Sequence, residues 1–454
     1  MDCLLLYFPP EDSSLPKQGF EMSSTSRRHF LTTLSTGALA GSLLGATRSW
    51  AAPPSERFRL AVIGNGNQGT SHFRALEELT NTEIVYVCDV DGERVGKAVE
   101  TTGAKGVADL RRVLDDPTID GVTIALPDHW HVPAALLALE AGKHVYIEKP
   151  VSHNYLEGQL LLAAAEKSGK VVQHGTQARS SKGIQEAIAM LHEGIIGDVL
   201  VGKCWNWQTR TSIGHAQPSD PPAGVDYDTW VGPAEWLPYQ KNRFHYDWHW
   251  WFNFGAGDLG NDGVHEMDYA LWGLGVTGAP KRISGSGGVY FFHDDRQWPD
   301  TQQVTFEYET PAGPRMLIYE QRLWSNSYPF NVDSGAEFYG SKGKLFVSKR
   351  GKFDVFDEKK NRIATKLAGI VKPQVSDHMQ NWIDATKNST KPNAPLDVAT
   401  TTTTAIHLGN ISTRLQRSLV FDAVNEQIVN DAEANALLTR KYRADGHWSV
   451  PKTS

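Results

Sequence analysis

The stretch Ala61-Val-Ile-Gly-Asn-Gly-Asn-Gln-Gly69 constrains the fold more than any other part of the chain. Apolar residues run into glycines at Gly64, Gly66 and Gly69, and Gln68 to Leu79 has a helical pattern. A strand that turns so tightly into a helix needs glycine at the bend. It leaves unpaired N–H groups at the helix N-terminus, where negative charge is favoured. Asn67 and Gln68 stand at that terminus. A second apolar run, Ile84 to Val87, ends at Asp89. This carboxylate follows the last glycine by about 20 residues, the spacing at which an acidic side chain meets a ribose hydroxyl. Motif and spacing together predict a dinucleotide held by Gly64, Gly66, Asn67, Gln68, Gly69 and Asp89. Negative charge at Asp89 and Asp91 opposes a 2′-phosphate, so NAD is expected over NADP. Arg94 is the nearby residue of opposite tendency.

From Phe58 to about His174 strand-like and helix-like segments alternate, with apolar runs ending at Gly64, Asp89, Ala125, Glu148 and His174. Alternation implies right-handed crossovers and a mostly parallel sheet whose strand ends share one edge, where ligands bind. Pro127-Asp-His-Trp-His131, Glu148-Lys149-Pro150 and Gly175-Thr-Gln177 all follow strand ends. Pro127, His131, Glu148, Lys149 and Gln177 are therefore expected beside the cofactor. After Gln177 the pattern changes to strand-like runs separated by Gly, Pro and Asp turns, with helices near Ser376 to Thr386 and Ala399 to Gln416. The fold class is α/β: a Rossmann dinucleotide domain over 53–177, then an α+β domain with a largely antiparallel sheet over 178–454.

Lys149 follows a strand end, and Pro150 keeps it out of the helical region. Its ammonium should reach the cleft and hydrogen-bond a substrate hydroxyl or carbonyl oxygen; a salt bridge with Glu148 is the alternative. Asp262 and His265 are three apart, so a helix starting near Asp262 puts both on one face, the carboxylate orienting the imidazole. His265 then takes or gives a hydroxyl proton; a helix cap beside a core histidine is the alternative. Tyr246, Trp248 and Trp250 offer aromatic faces to a sugar ring, with Arg243, Asp247 and Asn253 for its hydroxyls, or else they pack between the domains. Arg179 is a further candidate substrate contact. The spacing of His129, His131 and His265 is not that of a zinc site, and no metal is expected.

The N-terminal 1–52 reads as an extension and an export signal. Ser26-Arg27-Arg28-His29-Phe30-Leu31 is a twin-arginine pattern, followed by an apolar stretch from Leu34 to Ala46 too short to span a bilayer stably. Cleavage is expected near Ala51 or Ala52, and Met22 is the better start. The twin-arginine route carries folded proteins, so a dinucleotide enzyme exported this way to the periplasm would load its cofactor first and keep it. The net charge of -7, with no basic stripe, argues against nucleic acid as a partner. Of three cysteines, Cys88 and Cys204 follow the signal. Both sit in strand-like surroundings and are expected to be buried and unpaired. No further segment is apolar enough to cross a membrane.

Together these elements resemble the Gfo/Idh/MocA oxidoreductase family, named for glucose–fructose oxidoreductase, inositol dehydrogenase and a rhizopine catabolism protein. The resemblance runs from about Arg57 to Pro451. Gly64 to Gly69 and Asp89 match the family's cofactor site, Glu148-Lys149-Pro150 its signature, and Asp262 to His265 its Asp-x-x-His element. It implies that Lys149 and His265 form the catalytic pair with Asp262 assisting, and that His131 lies near the nicotinamide. It further implies an open-faced second sheet, often used to form dimers or tetramers. Asp258 and Asn261 depart from the family's usual residues in the Gly255 to Asn261 stretch. The function expected is hydride transfer between a sugar or polyol carbinol carbon and nicotinamide, with a retained NAD. A glycosidase or lyase working by transient oxidation is the runner-up; family members of that kind usually lack the signature lysine. A sugar-binding protein with structural NAD is a third class.

Overall fold

Apolar runs become strands and the segments between them helices: β1 (Phe58–Ile63), α1 (Asn67–Glu77), β2 (Thr82–Cys88), α2 (Gly92–Thr102), β3 (Lys105–Val107), α3 (Arg111–Leu114), β4 (Gly121–Ile124), α4 (Asp128–Glu140), β5 (His144–Ile147), α5 (Tyr155–Ser168) and β6 (Val172–His174). The structure, a computed structural model, describes residues 57–367 and 374–451, which belong to one compact unit. The twin-arginine segment, Met22 and the expected cleavage site lie outside the described residues. The six strands pair in parallel in the order β3-β2-β1-β4-β5-β6. The order reverses between β1 and β4, and there the strand ends open the crevice of a doubly wound sheet. Strand β3 has no counterpart in the sequence reading, because three residues, two of them exposed, carry no periodicity.

The second half contains α6 (Lys182–His192), β7 (Val199–Asn206), α7 (Tyr227–Val231), α8 (Gly257–Asn261), α9 (Gly263–Leu274), β8 (Arg282–Gly288), β9 (Thr301–Thr310) and β10 (Gly313–Arg322). It continues with β11 (Ser334–Gly340), β12 (Gly343–Ser348), β13 (Phe353–Asp357), β14 (Arg362–Lys366), α10 (Val375–Asn388), α11 (Leu396–Leu415), β15 (Leu419–Asp422), β16 (Gln427–Ile428) and α12 (Ala432–Ala436). Its strands form a ten-stranded sheet, ordered β14-β13-β12-β11-β7-β10-β9-β8-β15-β16. Pairing is antiparallel except between β7 and β10. Val264 and Met267 of α9 and Ala405 and Ile406 of α11 pack on one face against Phe306, Leu317 and Tyr319. The threonine run 400–404 lies within α11, with Thr402 and Thr403 buried. Helix α10 instead returns to the first sheet, where Met379, Trp382 and Ile383 join Phe58, Leu60 and Val62. Cys88 and Cys204 are buried and unpaired. Among the described residues no helix is long and apolar enough to cross a membrane.

Candidate active site

The glycine turn is dictated by contact. Gly64 has φ +93°, and a Cβ there would lie 2.3 Å from the Ala125 carbonyl oxygen. A Cβ on Gly69 would lie 1.9 Å from the Gly64 oxygen, so Gly69 closes the turn from behind and does not line the cleft. Gly66 faces the cleft, where an added Cβ would meet only the Arg94 guanidinium at 3.0 Å. No side chain caps the N-terminus of α1, which leaves its first N–H groups for a ligand. Asp89 accepts hydrogen bonds from the Asn65 N–H at 2.7 Å and the Asp91 N–H at 3.0 Å. Burial raises its pKa above the ordinary value against these bonds and Arg94. A cradle without a Cβ, an uncapped helix N-terminus and an acidic side chain at the next strand end fit NAD. The cleft, about 280 Å³, extends past Pro127 and His131 to Glu148 and Lys149.

At its inner end Glu148 is fixed on three sides. Its Oε1 accepts from Gln68 Nε2 at 2.8 Å and faces His72 Nε2 at 3.1 Å, and its Oε2 accepts the Lys149 N–H at 3.3 Å. Burial opposes ionisation, but His72, Lys149 and Gln68 outweigh it and hold the carboxyl at about 2. The Lys149–Pro150 peptide is cis. The His131 ring is wedged between two carbonyls, Nδ1 2.7 Å from Pro150 O and Nε2 2.8 Å from Leu126 O. Lys149 Nζ crosses to the second domain and donates to Asn261 Oδ1 at 3.0 Å.

Helix α9 starts directly after Asp262, so Asp262 and His265 do meet at a helix N-terminus. The expected carboxylate–imidazole hydrogen bond is not formed, because two cations occupy the Asp262 carboxylate. Lys349 Nζ donates to Oδ1 at 3.1 Å, and Arg210 Nη2 donates to Oδ2. Asp258 accepts from Arg210 Nε at 3.2 Å and from Asn206 Nδ2 at 2.6 Å. Burial first, then the charges of Lys349 and Lys149, push the His265 pKa well below its ordinary value. His265 is thus neutral, and like Asp262 it stands behind the residues that line the cleft. Burial also lifts Asp128 to about 7, against Lys149 and the N–H of Ala256 at 2.9 Å.

Several expected contacts lie elsewhere. Arg179 is buried, paired with Asp268 at 2.7 Å and stacked 4.8 Å over Trp272, away from the cleft. Gln177 spends its amide on Tyr146 Oη at 3.1 Å and does not line the cleft. Trp250 is 1% exposed within an aromatic core, under Arg296. Tyr246 and Trp248 do line the cleft. Arg243 and Asn253 bind backbone carbonyls of Pro238 and Glu235. Arg210 and Lys349 were missed: one follows β7 in a loop without periodicity, the other sits in a turn that reads as solvated. Among the described residues no group of His, Cys, Asp or Glu could hold a metal ion.

The chain itself roofs the cleft. Between β7 and α8 it passes over the Asp89 loop, with Gly92 N–H to Gly224 O at 3.0 Å and Asp226 N–H to Val90 O at 2.9 Å. His245 Nε2 lies 3.3 Å from Asp91 Oδ2, and Thr229, Trp230 and Phe244 line the cleft opposite the glycine turn. Trp448, near the C-terminal end, lines the cleft with Ala108 and Leu110 and packs on Arg111 at 4.3 Å.

This chain is similar to known proteins in both halves. The model of the oxidoreductase family's NAD-binding Rossmann fold matches residues 58–176, and that of its C-terminal alpha/beta domain matches residues 190–450. The inositol 2-dehydrogenase/D-chiro-inositol 3-dehydrogenase of Lacticaseibacillus casei is 36% identical over 148 residues, 32% of this chain and 42% of that protein. A glycosyl hydrolase family 109 protein of Saccharopolyspora erythraea is 30% identical over 157 residues, 32% of this chain and 34% of that protein. These matches span less than half the length of either relative. Levoglucosan dehydrogenase, solved with NADH and levoglucosan, shares the fold with a TM-score of 0.64 at 17% identity, covering 80% of this chain and 99% of that one. The aldose-aldose oxidoreductase from Caulobacter crescentus, complexed with glycerol, gives 0.62 at 17% identity, covering 80% of this chain and all 100% of that one. The chain therefore belongs to the Gfo/Idh/MocA oxidoreductase family, joining that family's NAD-binding Rossmann fold to its C-terminal alpha/beta domain.

Proposed function

We propose that this protein is an NAD-dependent oxidoreductase acting on a carbinol carbon of a sugar or polyol. The observation that carries this reading is Lys149, on the wall of the cleft and in the electrostatic reach of a neutral His265. NAD, when held by the glycine turn and Asp89, supplies the acceptor or donor of hydride. Lys149, steadied by Asn261, donates an N–H to the substrate oxygen. His265 accepts the hydroxyl proton as the carbon is oxidised and returns it in reduction. Tyr246 and Trp248 give the ring an aromatic wall. The relatives named as inositol dehydrogenases and the structural neighbour named levoglucosan dehydrogenase support a polyhydroxylated ring as substrate.

Export by the twin-arginine route with NAD already aboard belongs to the same proposal, and the roof over the cleft supports a retained cofactor. The first experiment is to express the chain from Met22, purify it without added nucleotide, denature it and identify what is released. Stoichiometric NAD or NADH is the expected result; an empty protein with weak NAD affinity overturns cofactor retention. Sugars and polyols are then tested for reduction of the bound NAD. Lys149→Ala should keep the nucleotide and lower turnover roughly 100- to 10,000-fold; unchanged turnover overturns the catalytic assignment. The similarity to a glycosyl hydrolase family 109 protein favours a second reading, redox-neutral cleavage by transient oxidation. Release of a free sugar from a glycoside, without net NADH, would establish it.

A further inference from the structure

Three imidazoles among the described residues line the cleft, and they are committed differently. His131 has a backbone carbonyl at each ring nitrogen. His245 turns Nε2 to Asp91, at the far end from Lys149. His249 lies close enough to Lys149 and Arg210 to feel their charges, and one of its nitrogens is unspent.

The protein decides which nitrogen that is. His249 Nδ1 faces the Tyr246 carbonyl oxygen, which can only accept, so Nδ1 carries the proton and donates it there. Burial, joined by the charges of Lys149 and Arg210, pushes the His249 pKa down to about 3 against that bond and Asp262. The ring is therefore neutral, and Nε2 bears a lone pair and no proton. Nε2 makes no hydrogen bond among the described residues, and it is not sealed from open space as their buried partnerless atoms are. Because the ring lines the cleft, the space it meets is the cleft. Trp248, stacked on the ring at 3.6 Å with the planes 19° apart, fixes its direction.

The cleft thus presents two opposite demands near its reacting end. Lys149 can only donate: Nζ gives one N–H to Asn261 Oδ1 and keeps two. His249 Nε2 can only accept. A carboxylate or an ether oxygen would set lone pair against lone pair at His249, whereas a hydroxyl supplies the missing proton. In the function proposed above the reacting hydroxyl holds Lys149 and gives its proton to His265. The proton that meets His249 then belongs to another hydroxyl of the same molecule.

We infer that His249 is a substrate-binding residue whose Nε2 accepts a hydrogen bond from a second, free hydroxyl of the sugar or polyol, one that is not oxidised. This rests on the reading of Lys149 and His265 as the reacting groups.

The test uses the full NAD-loaded protein at pH 8 with glucose, myo-inositol and the monodeoxy derivatives of each. Loss of the oxidised hydroxyl abolishes turnover; loss of one further hydroxyl should cost about 10- to 100-fold in kcat/KM, because Nε2 is left unpaired. His249→Phe keeps a flat ring on Trp248 and should remove the discrimination at that one position, leaving the other deoxy sugars ranked as before. His249→Gln, which still offers an acceptor, should restore most of it. A second readout does not depend on turnover. In NADH-loaded protein carrying nitrogen-labelled histidine, the unprotonated-nitrogen resonance that is missing from His249→Phe should move when the sugar is added. Retained NAD and an unchanged melting temperature certify folding. Deoxy sugars ranked alike by wild type and His249→Phe overturn the contact but leave hydride transfer standing. If His249→Phe instead loses kcat on every sugar equally with KM unmoved, His249 takes the reacting proton and the second-hydroxyl assignment falls. A loaded protein that oxidises neither glucose nor myo-inositol overturns the underlying reading and this proposal with it.

Discussion

His265 carries an environment unusual for a proton acceptor, since the groups facing it include two ammonium ions. Burial, the largest cause, and the charges of Lys349 and Lys149 depress its pKa, and together they outweigh Asp262 and Glu148, which raise it. A neutral imidazole is the form that accepts the hydroxyl proton, so alcohol oxidation should stay active well below the ordinary histidine range. Activity is lost only when falling pH protonates the ring. Removing a nearby positive charge makes protonation easier, so Lys349→Met should move the acid limb of the kcat/KM profile to higher pH. The check is a pH series with a neutral polyol, whose own charge does not change; an acid limb that stays in place would show that Lys349 does not act on His265. Lys349 again, now with Arg210, explains why the sequence misled about Asp262. Three-residue spacing rightly put Asp262 and His265 at one helix end, but it carries no information about Arg210 and Lys349, which lie 52 and 87 positions away in the chain from Asp262.

The loop between β7 and α8 acts as a strap, and its fastening can be tested separately from chemistry. It is tied to the loop that follows Asp89 by the two backbone bonds of Gly92 and Asp226 and by the contact of His245 with Asp91. His245 takes φ +52° to make that contact, a conformation that costs a non-glycine residue energy unless its surroundings enforce it. His245→Ala removes the clasp while leaving the glycine turn and Asp89 untouched. Release of bound NAD, followed by nucleotide exchange in excess competitor, should accelerate about tenfold, with turnover on bound cofactor little altered; an unchanged release rate would mean the strap does not govern exit. At this scale the first sheet was largely legible, because alternating apolar runs and helical segments from Phe58 to His174 carry the fold in their period. The strap was not. Its residues have no period, its aromatic cluster mixes cleft-facing Tyr246 and Trp248 with buried Trp250, and only the packed chain separates them. The return of α10 to the first sheet was equally hidden, since an amphipathic helix states which face is buried and not against what.

The whole molecule leaves one large surface half covered. Helices α9 and α11 bury one face of the ten-stranded sheet, and the period of β10 sends Met316 and Ile318 to the other, where neither is fully buried. The register aligns Val201 and Lys203 of β7 with them, and Tyr339 and Glu337 of β11 beyond. Ion pairs cross this face between Lys203 and Glu320 at 3.3 Å and between Lys344 and Glu337 at 3.3 Å. An apolar centre with charged pairs around it has the composition of a protein interface, with the charged groups fixing register. The dimer or tetramer that the family resemblance implies would pair copies of this chain through this face. A stable pair needs roughly 1,000 Å² or more of total buried surface, which a sheet of this width can supply. Ile318→Asp places an unpaired charge at the centre of the face, pointing away from the core of its own subunit. Light scattering should then report a monomer that still carries NAD, because the cleft lies on the other sheet. If wild type is monomeric, or if the Ile318→Asp protein keeps its assembly, the sheet face is not the contact, and the exposed aromatics at Phe291 and Trp324, stacked at 5.4 Å, become the next surface to change.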